Sequence, residues 1–318
     1  MKTVTSAEMR ALDRAAMDEF EIPGEELMRR AGADIGHLVL HIIERCGLHH
    51  PLIQLIAGRG NNGGDAFAAA LLLHKEDHHV EVLLAGSAEE IRGDALRHFG
   101  SMRSGGVRFR ELPTMEDWEQ EMESGELAEV IVDGVLGIGV KGPPRGPVAG
   151  AIRHINAAAA EALVIAIDVP SGLDADTGAT PGDAVRADIT ATIGLPKPGL
   201  LVPAAIEYVG SIEVIDIGIP TELISAIATD PELIAAADMR GLFPRRKRRS
   251  HKGDFGHLLI VAGAPGYGGA AIMSGRAATR SGVGLVSIAA PLTVASAIVP
   301  AVPEAAPKRS RGLFSEMF

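Results

Sequence analysis

The stretch LIQLIAGRGNNGGDAFAAA, Leu52 to Ala70, decides how the chain is read. Six apolar-rich residues of strand type run into a glycine-rich turn, and an alanine-rich segment of helical type follows. Gly58, Gly60 and Gly63 satisfy G-x-G-x-x-G, the turn that brings a dinucleotide pyrophosphate to a helix N-terminus. The acid that should end the next strand is missing, because VEVLLAG closes on Gly86-Ser87 and Glu81 stands near its start. A phosphate loop of the Walker type fails as well, since Gly64-Asp65 occupies the place of its lysine and hydroxyl residue. A carboxylate there favours the helix and repels a bare phosphate, so Asp65 reads either as an N-cap or as part of a site. Asn61 and Asn62 offer uncharged acceptors and donors that suit a hard monovalent cation or ribose hydroxyls; their bland alternative is turn formation.

Working outward, further apolar runs alternate with helical stretches: VEVLLAG, EVIVDGVLG, ALVIAIDVPSG and ITATIG. Strands this uniformly apolar have no wet face, which predicts a mainly parallel sheet covered by helices on both sides. Ligands in such folds gather at the carboxyl ends of the strands. NNGGD, the segment Asp133 to Gly142 and the segment Asp168 to Asp174 all fall there. Asp133 and Asp168 end apolar strands, and two carboxylates in one crevice could serve as acid, base or cation ligand. The loop GIGVKGPPRGP, Gly137 to Pro147, adds Lys141 and Arg145, which suit a pyrophosphate or simply an exposed surface. Ser171 lacks the G-x-S-x-G elbow of a nucleophile, and HKEDHH at 74–79 fits no regular zinc spacing.

Before this sheet, two helices are expected. Thr5-Ser6-Ala7-Glu8 is a capping box, Pro23-Gly24 interrupts, and Leu27, Met28, Ala31, Ile35, Leu38, Val39, Ile42 and Ile43 form one apolar face. From about Ile219 to Ser250 the pattern weakens into a linker, and Arg245 to Arg249 reads as an exposed charge cluster. A second alternation then begins with HLLIVAG, PGYGGA, AAIMSGRAATRSG and GLVSIAA.

Composition narrows the function. The chain has 318 residues, 47% of them hydrophobic, enough for one large domain or two ordinary ones. A net charge of −11 argues against nucleic acid or an anionic membrane as partner. Cys46 is the only cysteine, so neither an intramolecular disulfide nor a thiolate zinc cluster can form, and its thiol is expected in the core. No apolar run approaches the roughly 20 residues of a membrane span, and the N-terminus lacks a signal core, so a soluble, cytoplasmic protein is expected. A homo-oligomer is compatible with all of this.

GRGNNGGDAFAAA, VDGVLGIGVKGPPRGPV, VIAIDVPSGLDADTG and RADITATIGLPKPGL, in this order, resemble the N-terminal YjeF-type domain, the NAD(P)HX epimerase family. The resemblance covers about residues 1–220 and implies a Rossmann-like, three-layer αβα domain with a mainly parallel sheet. It implies an isomerase of metabolite repair that interconverts the R and S forms of NADHX and NADPHX, the hydrated nicotinamide cofactors. It also implies that Asn61, Asn62, Gly63, Gly64, Asp65, Gly137, Ile138, Gly139, Val140, Lys141, Gly142 and Pro143 contact the hydrated dinucleotide, with Asp168 near the altered ring. A potassium ion held by Asn62, Asp133 and Ser171 is implied too. Asp168 is the candidate acid/base.

HKGDFGHLLIVAGAPGYGGAAIMSGRAATRSGVGLVSIAAP, with Pro303-Glu304 after it, resembles the opening of the ADP- or ATP-dependent NAD(P)HX dehydratase, a lyase of ribokinase-like fold. The expected organisation is an epimerase domain at 1–220, a linker at 221–250 and a partial dehydratase domain at 251–318, an incomplete ribokinase-like α/β segment. The remaining AAPKRSRGLFSEMF lacks the later N-x-G-T-G-D segment, so Mg2+ and ADP/ATP are expected only for a complete dehydratase domain. Two other readings stay open: an NAD-dependent oxidoreductase and a non-catalytic nucleotide-binding protein.

Overall fold

The computed structural model describes residues 1–139, 142–227, 232–234, 236–242 and 245–309. They form two compact units, Met1–Leu233 and Ile234–Phe318.

In the first unit, helix α1 (Ser6–Phe20) starts on the capping box read from the sequence. Thr5 Oγ1 accepts from the Glu8 amide, and Glu8 reciprocates on the Thr5 backbone. Helix α2 (Gly24–Cys46) follows, then β1 (Leu52–Ala57), α3 (Asn61–Lys75), β2 (His79–Leu84), α4 (Gly93–Ser104) and β3 (Arg108–Glu111). Next come α5 (Met115–Ser124), β4 (Val130–Gly134), α6 (Pro147–Ala158), β5 (Leu163–Ile167), β6 (Ile189–Ile193), α7 (Ile206–Val209), β7 (Ser211–Ile215) and α8 (Thr221–Ala226). The strands make one seven-stranded sheet in the order β3-β2-β1-β4-β5-β6-β7, with every neighbouring pair parallel.

Alternation along each strand divides the core between the two faces. Ile53, Leu55 and Ala57 join Phe67, Ile35 and Phe99 beneath α1 to α4, whereas Leu52 and Ile56 join Trp118, Ile152 and Ile155 beneath α5 and α6. The result is the three-layer α/β architecture expected from periodicity. Two strands were not expected: β3 and β7 are half-exposed edge strands whose charged residues, as in RFRE and SIEVI, break the apolar signal. Cys46 is also a correction, because it ends α2 in an exposed position rather than in the core. Glu81, 1% exposed, belongs to a polar network beneath the second helical layer. It pairs with Arg110 at 2.9 Å, and Arg110 in turn pairs with Glu121 at 2.6 Å. Its partners account for this buried charge without any ligand.

The second unit contains α9 (Ala236–Met239), β8 (His257–Val261), α10 (Gly268–Arg280), β9 (Leu285–Ala290), α11 (Leu292–Ala301) and β10 (Ala306–Arg309). Its three parallel strands run β10-β9-β8 around a small core of Ala271, Val286, Ile288 and Ile298. Edge strand β8 leaves Leu258, Leu259 and Val261 exposed. Arg246, from the basic run, lies 4.2 Å over the Phe255 ring and donates to the Gly282 carbonyl, so part of that cluster is stitched to this unit.

Candidate active site

The carboxyl ends of β1, β4, β5 and β6 open on a cleft of about 640 Å3 that α1 borders from the side. Its walls include Met9, Arg10 and Asp13 from α1, Gly58 to Asn62 with Asp65, the run Val135–Gly139, and Asp168 with Lys197. NNGGD begins the helix rather than preceding it. Gly60 is the N-cap, Asn61 is the first helical residue, and Asp65 lies beyond the first turn. Asp65 is therefore not an N-cap; it is 7% exposed and faces the cleft.

At the cleft floor, Asn62 and Ser171 both bond the backbone of Leu136, and Ser171 ties Asp133 to them. Asn62 Nδ2 donates to Leu136 O at 2.8 Å and to Ile167 O at 3.2 Å. Ser171 donates from Oγ to Asp133 Oδ1 at 2.6 Å and from its backbone to Oδ2 at 2.8 Å, while its Oγ accepts from Leu136 N at 2.8 Å. Asp133 is fully buried, and burial pushes its carboxyl up to about 6 against those hydrogen bonds. No ion pair reaches Asp133 among the described residues.

The cleft wall holds a second group. Asp168 sits at φ +65° at the tip of β5, where Val169 N donates back to Ile167 O at 2.8 Å. This is a γ-turn of the strained, positive-φ form, and such strain concentrates at functional sites. Oδ1 of Asp168 accepts from the side-chain nitrogen of Lys197 and from Ile193 N. Asp13 and Asp65 face the same wall. Burial, relieved by Lys197 and reinforced by the Asp168 charge, raises Asp13 to about 6. Burial and the charges of Asp168 and Asp13 raise Asp65 well above the carboxylate range. Burial thus pushes two carboxyls on this wall toward their protonated forms, the direction that acid/base chemistry uses.

The residues singled out from the sequence are not all at the cleft. Asn61, Asn62, Asp65, Gly137, Ile138, Gly139 and Asp168 line it. Gly63 and Gly64 are buried against Gly58 O and Met28 Sδ instead. Gly142 lines a separate small recess with Gly172 and Asp174, and Pro143 packs by Gly182. Val140 and Lys141 lie outside the described residues. Asp13, Arg10 and Lys197 were not foreseen. Asp13 follows the buried Leu12 on the edge of an apolar helix face, and Lys197 interrupts an apolar run, which are the only signals either leaves.

Asp13 makes stability pH-dependent in a defined direction. The folded chain keeps its proton to about pH 6, while the unfolded chain releases it near 3.8, so stability falls as pH rises through that window. Asp13→Asn removes this contribution. Between pH 4 and 7 the wild type should lose more stability than the variant by about 1–2 kcal/mol, measured by urea unfolding. Trp118, the sole tryptophan and fully buried in the first unit, reports that transition; parallel stability curves would refute the assignment.

Residues 24–199, more than half of the chain, match the model of the family described as YjeF-related protein N-terminus. The chain belongs to this family. In this YjeF-related chain, residues 258–313 also match the NAD(P)H-hydrate dehydratase family. Among similar proteins, the bifunctional NAD(P)H-hydrate repair enzyme Nnr of Moorella thermoacetica is 37% identical over 297 residues, covering 92% of this chain and 54% of the relative. Its namesake from Pyrobaculum aerophilum is 38% identical, covering 92% and 55%. The chain thus spans about half the length of the curated relatives it matches. The crystal structure of yeast ynu0 aligns with a TM-score of 0.55 at 22% identity, over 63% of this chain and 83% of that one, which supports the fold.

Proposed function

We propose that the YjeF-related unit is an NAD(P)H-hydrate epimerase, an isomerase acting on NADHX and NADPHX in cofactor repair. The observation that carries the reading is the carboxyl cluster of Asp13, Asp65 and Asp168 on the wall of a dinucleotide-sized cleft. In the hydrate, the hydroxyl sits on the carbon beside the ring nitrogen. Inversion requires protonation of that hydroxyl, its departure as water to leave an iminium, and return of water to the other face. Asp168 passes the proton in both directions, and Asp65, whose burial favours the protonated form, is the neighbouring carboxyl that can exchange it. Asn61, Asn62, Asp65 and Gly137 to Gly139 are assigned to the dinucleotide, and Gly63 and Gly64 to the shape of the turn that presents them.

Asn62, Asp133 and Ser171 fit a potassium ion. Asp133 is a buried carboxyl with no cationic side-chain partner among the described residues; it accepts from the Ser171 hydroxyl and the Ser171 and Val135 amides, while Asn62 holds the Leu136 and Ile167 carbonyls. One carboxyl among neutral polar groups suits a monovalent cation. Bound there, it would neutralise Asp133 and stiffen the Val135–Gly139 run. Residues 251–318 are proposed as part of a dehydratase domain behind a linker. Mg2+ and ADP or ATP belong to a complete dehydratase; the epimerase site has no use for them. No helix among the described residues is long and apolar enough to cross a membrane, in keeping with the cytoplasmic placement proposed. An oxidoreductase reading is disfavoured because β2 ends at Leu84 and Ala85-Gly86 follows, with no acid for a ribose.

The test supplies the R hydrate with an independent S-specific dehydratase and records NADH recovery. The chain should accelerate recovery at least ~10-fold over spontaneous epimerisation. Replacing potassium by a larger organic cation should reduce the gain. Absence of any acceleration would overturn the epimerase.

A further inference from the structure

Lys197 is a fully buried charged side chain that this mechanism leaves unused. It follows the turn after β6, where Leu195 N donates back to Ile193 O at 2.9 Å around Gly194 at φ +71°. The turn is anchored from outside the sheet, because Val4 N donates to Pro196 O at 3.0 Å. Two positive-φ turns therefore stand at adjacent strand tips, one presenting Asp168 and the other folding Lys197 back onto it.

The lysine nitrogen has three acceptors: Asp168 Oδ1, Thr192 Oγ1 at 3.2 Å and the Ile193 carbonyl at 2.7 Å. An ammonium has three hydrogens and no lone pair, so this set consumes its whole donor capacity. None remains for a ligand, which separates Lys197 from a substrate-binding cation or a Schiff-base lysine. On the carboxylate side, Oδ1 takes both the ammonium and Ile193 N, whereas Oδ2 takes no hydrogen bond among the described residues. Asp168 lines the cleft, so Oδ2 is the oxygen left for a reacting group.

We infer that Lys197 is a positioning residue for epimerisation, holding Asp168 by one carboxylate oxygen so that the other is presented to the cleft. The role rests on the epimerase reading. Lys197 touches neither substrate nor reacting atoms, and acts through Asp168 alone.

The experiment compares the 318-residue wild type, Lys197→Met and Thr192→Val in the coupled assay with R hydrate, separating kcat from KM. Trp118 fluorescence establishes the folded fraction of each. Lys197→Met should lower kcat about 100-fold, the effect of a misplaced reacting group, while KM moves less than about threefold. Thr192→Val keeps the charge but removes one acceptor, and should lower kcat about three- to tenfold in the same pattern. The ammonium protons of Lys197 should exchange slowly with water, and its 15N resonance should move in Asp168→Asn. A folded Lys197→Met with wild-type kcat, or losses confined to KM, would overturn the role. Should Lys197→Met not fold, an undiminished kcat in Thr192→Val overturns it instead. Wild type that does not accelerate epimerisation overturns the epimerase reading and this role with it; active wild type beside an equally active Lys197→Met overturns the role alone.

Discussion

Asp168→Asn is expected to abolish epimerisation, lowering kcat by about 100- to 10,000-fold, while dinucleotide binding stays measurable. The substitution is close to a pure change of chemistry. Asparagine is among the few residues that tolerate the positive φ that Asp168 adopts, so the strained turn survives. Its amide oxygen still accepts from Lys197 and Ile193 N, so the geometry of the wall is kept. What disappears is the negative charge and the ability to take up a proton. The buried Lys197 then lacks its counter-ion, at a cost of about 1–3 kcal/mol in the Trp118 transition. That cost stays moderate because Asp13 and Asp65 can ionise in compensation: the Asp168 charge is one of the causes that raise both. The pH-dependent stability assigned to Asp13 should accordingly weaken in the variant. Substantial turnover by folded Asp168→Asn would remove this residue from the chemistry.

The dependence of that argument on Lys197 and Asp13 marks where sequence reading stopped. The strand tips were legible because apolar runs ending in Asp133 and Asp168 announce buried strands with polar ends; Asp133 is the penultimate residue of β4, and Asp168 directly follows β5. The capping box of α1 was legible because its two hydrogen bonds are local. Strands β3 and β7 were not, since an edge strand has one wet side and tolerates charge. Lys197 and Asp13 were illegible for a different reason. Each is an ordinary polar residue until the chain brings α1 and the β6 tip to the same wall as β5. The residues left a cation or ribose hydroxyls open as alternatives at Asn61, Asn62 and the strand-tip aspartates, whereas potassium at Asn62, Asp133 and Ser171 and the full set of dinucleotide contacts were implied by family resemblance, because neutral oxygens leave no spacing signal. Strain at Asp168 likewise has no signature in the letters VIAIDVPSG.

The glycines that first suggested a dinucleotide turn yield the second large effect, on stability. A Cβ built on Gly63 would lie 1.9 Å from Gly58 O, and one on Gly58 would lie 1.9 Å from Val135 O. Both obstacles are backbone, which cannot swing aside as a side-chain end can. Strand β1, the start of α3 and the run after β4 are therefore in contact through bare Cα atoms. Gly60, the N-cap, has nothing within 4 Å of its Cβ position. Gly63→Ala should cost at least about 3 kcal/mol and lower the Trp118 melting transition by roughly 6–12 °C. Without the collision the sign would be reversed, since alanine is favoured over glycine inside a helix by about 1 kcal/mol. Gly60→Ala should cost only about 0.5 kcal/mol, the small penalty of an alanine N-cap. Equal melting temperatures for the two variants would show that the turn can open by itself, and that Gly63 is kept for another reason. The predicted difference instead makes the G-x-G-x-x-G spacing a packing rule for a strand, a turn and a helix. A pyrophosphate loop and this carboxyl-lined cleft can share that rule without sharing the acid that reads a ribose.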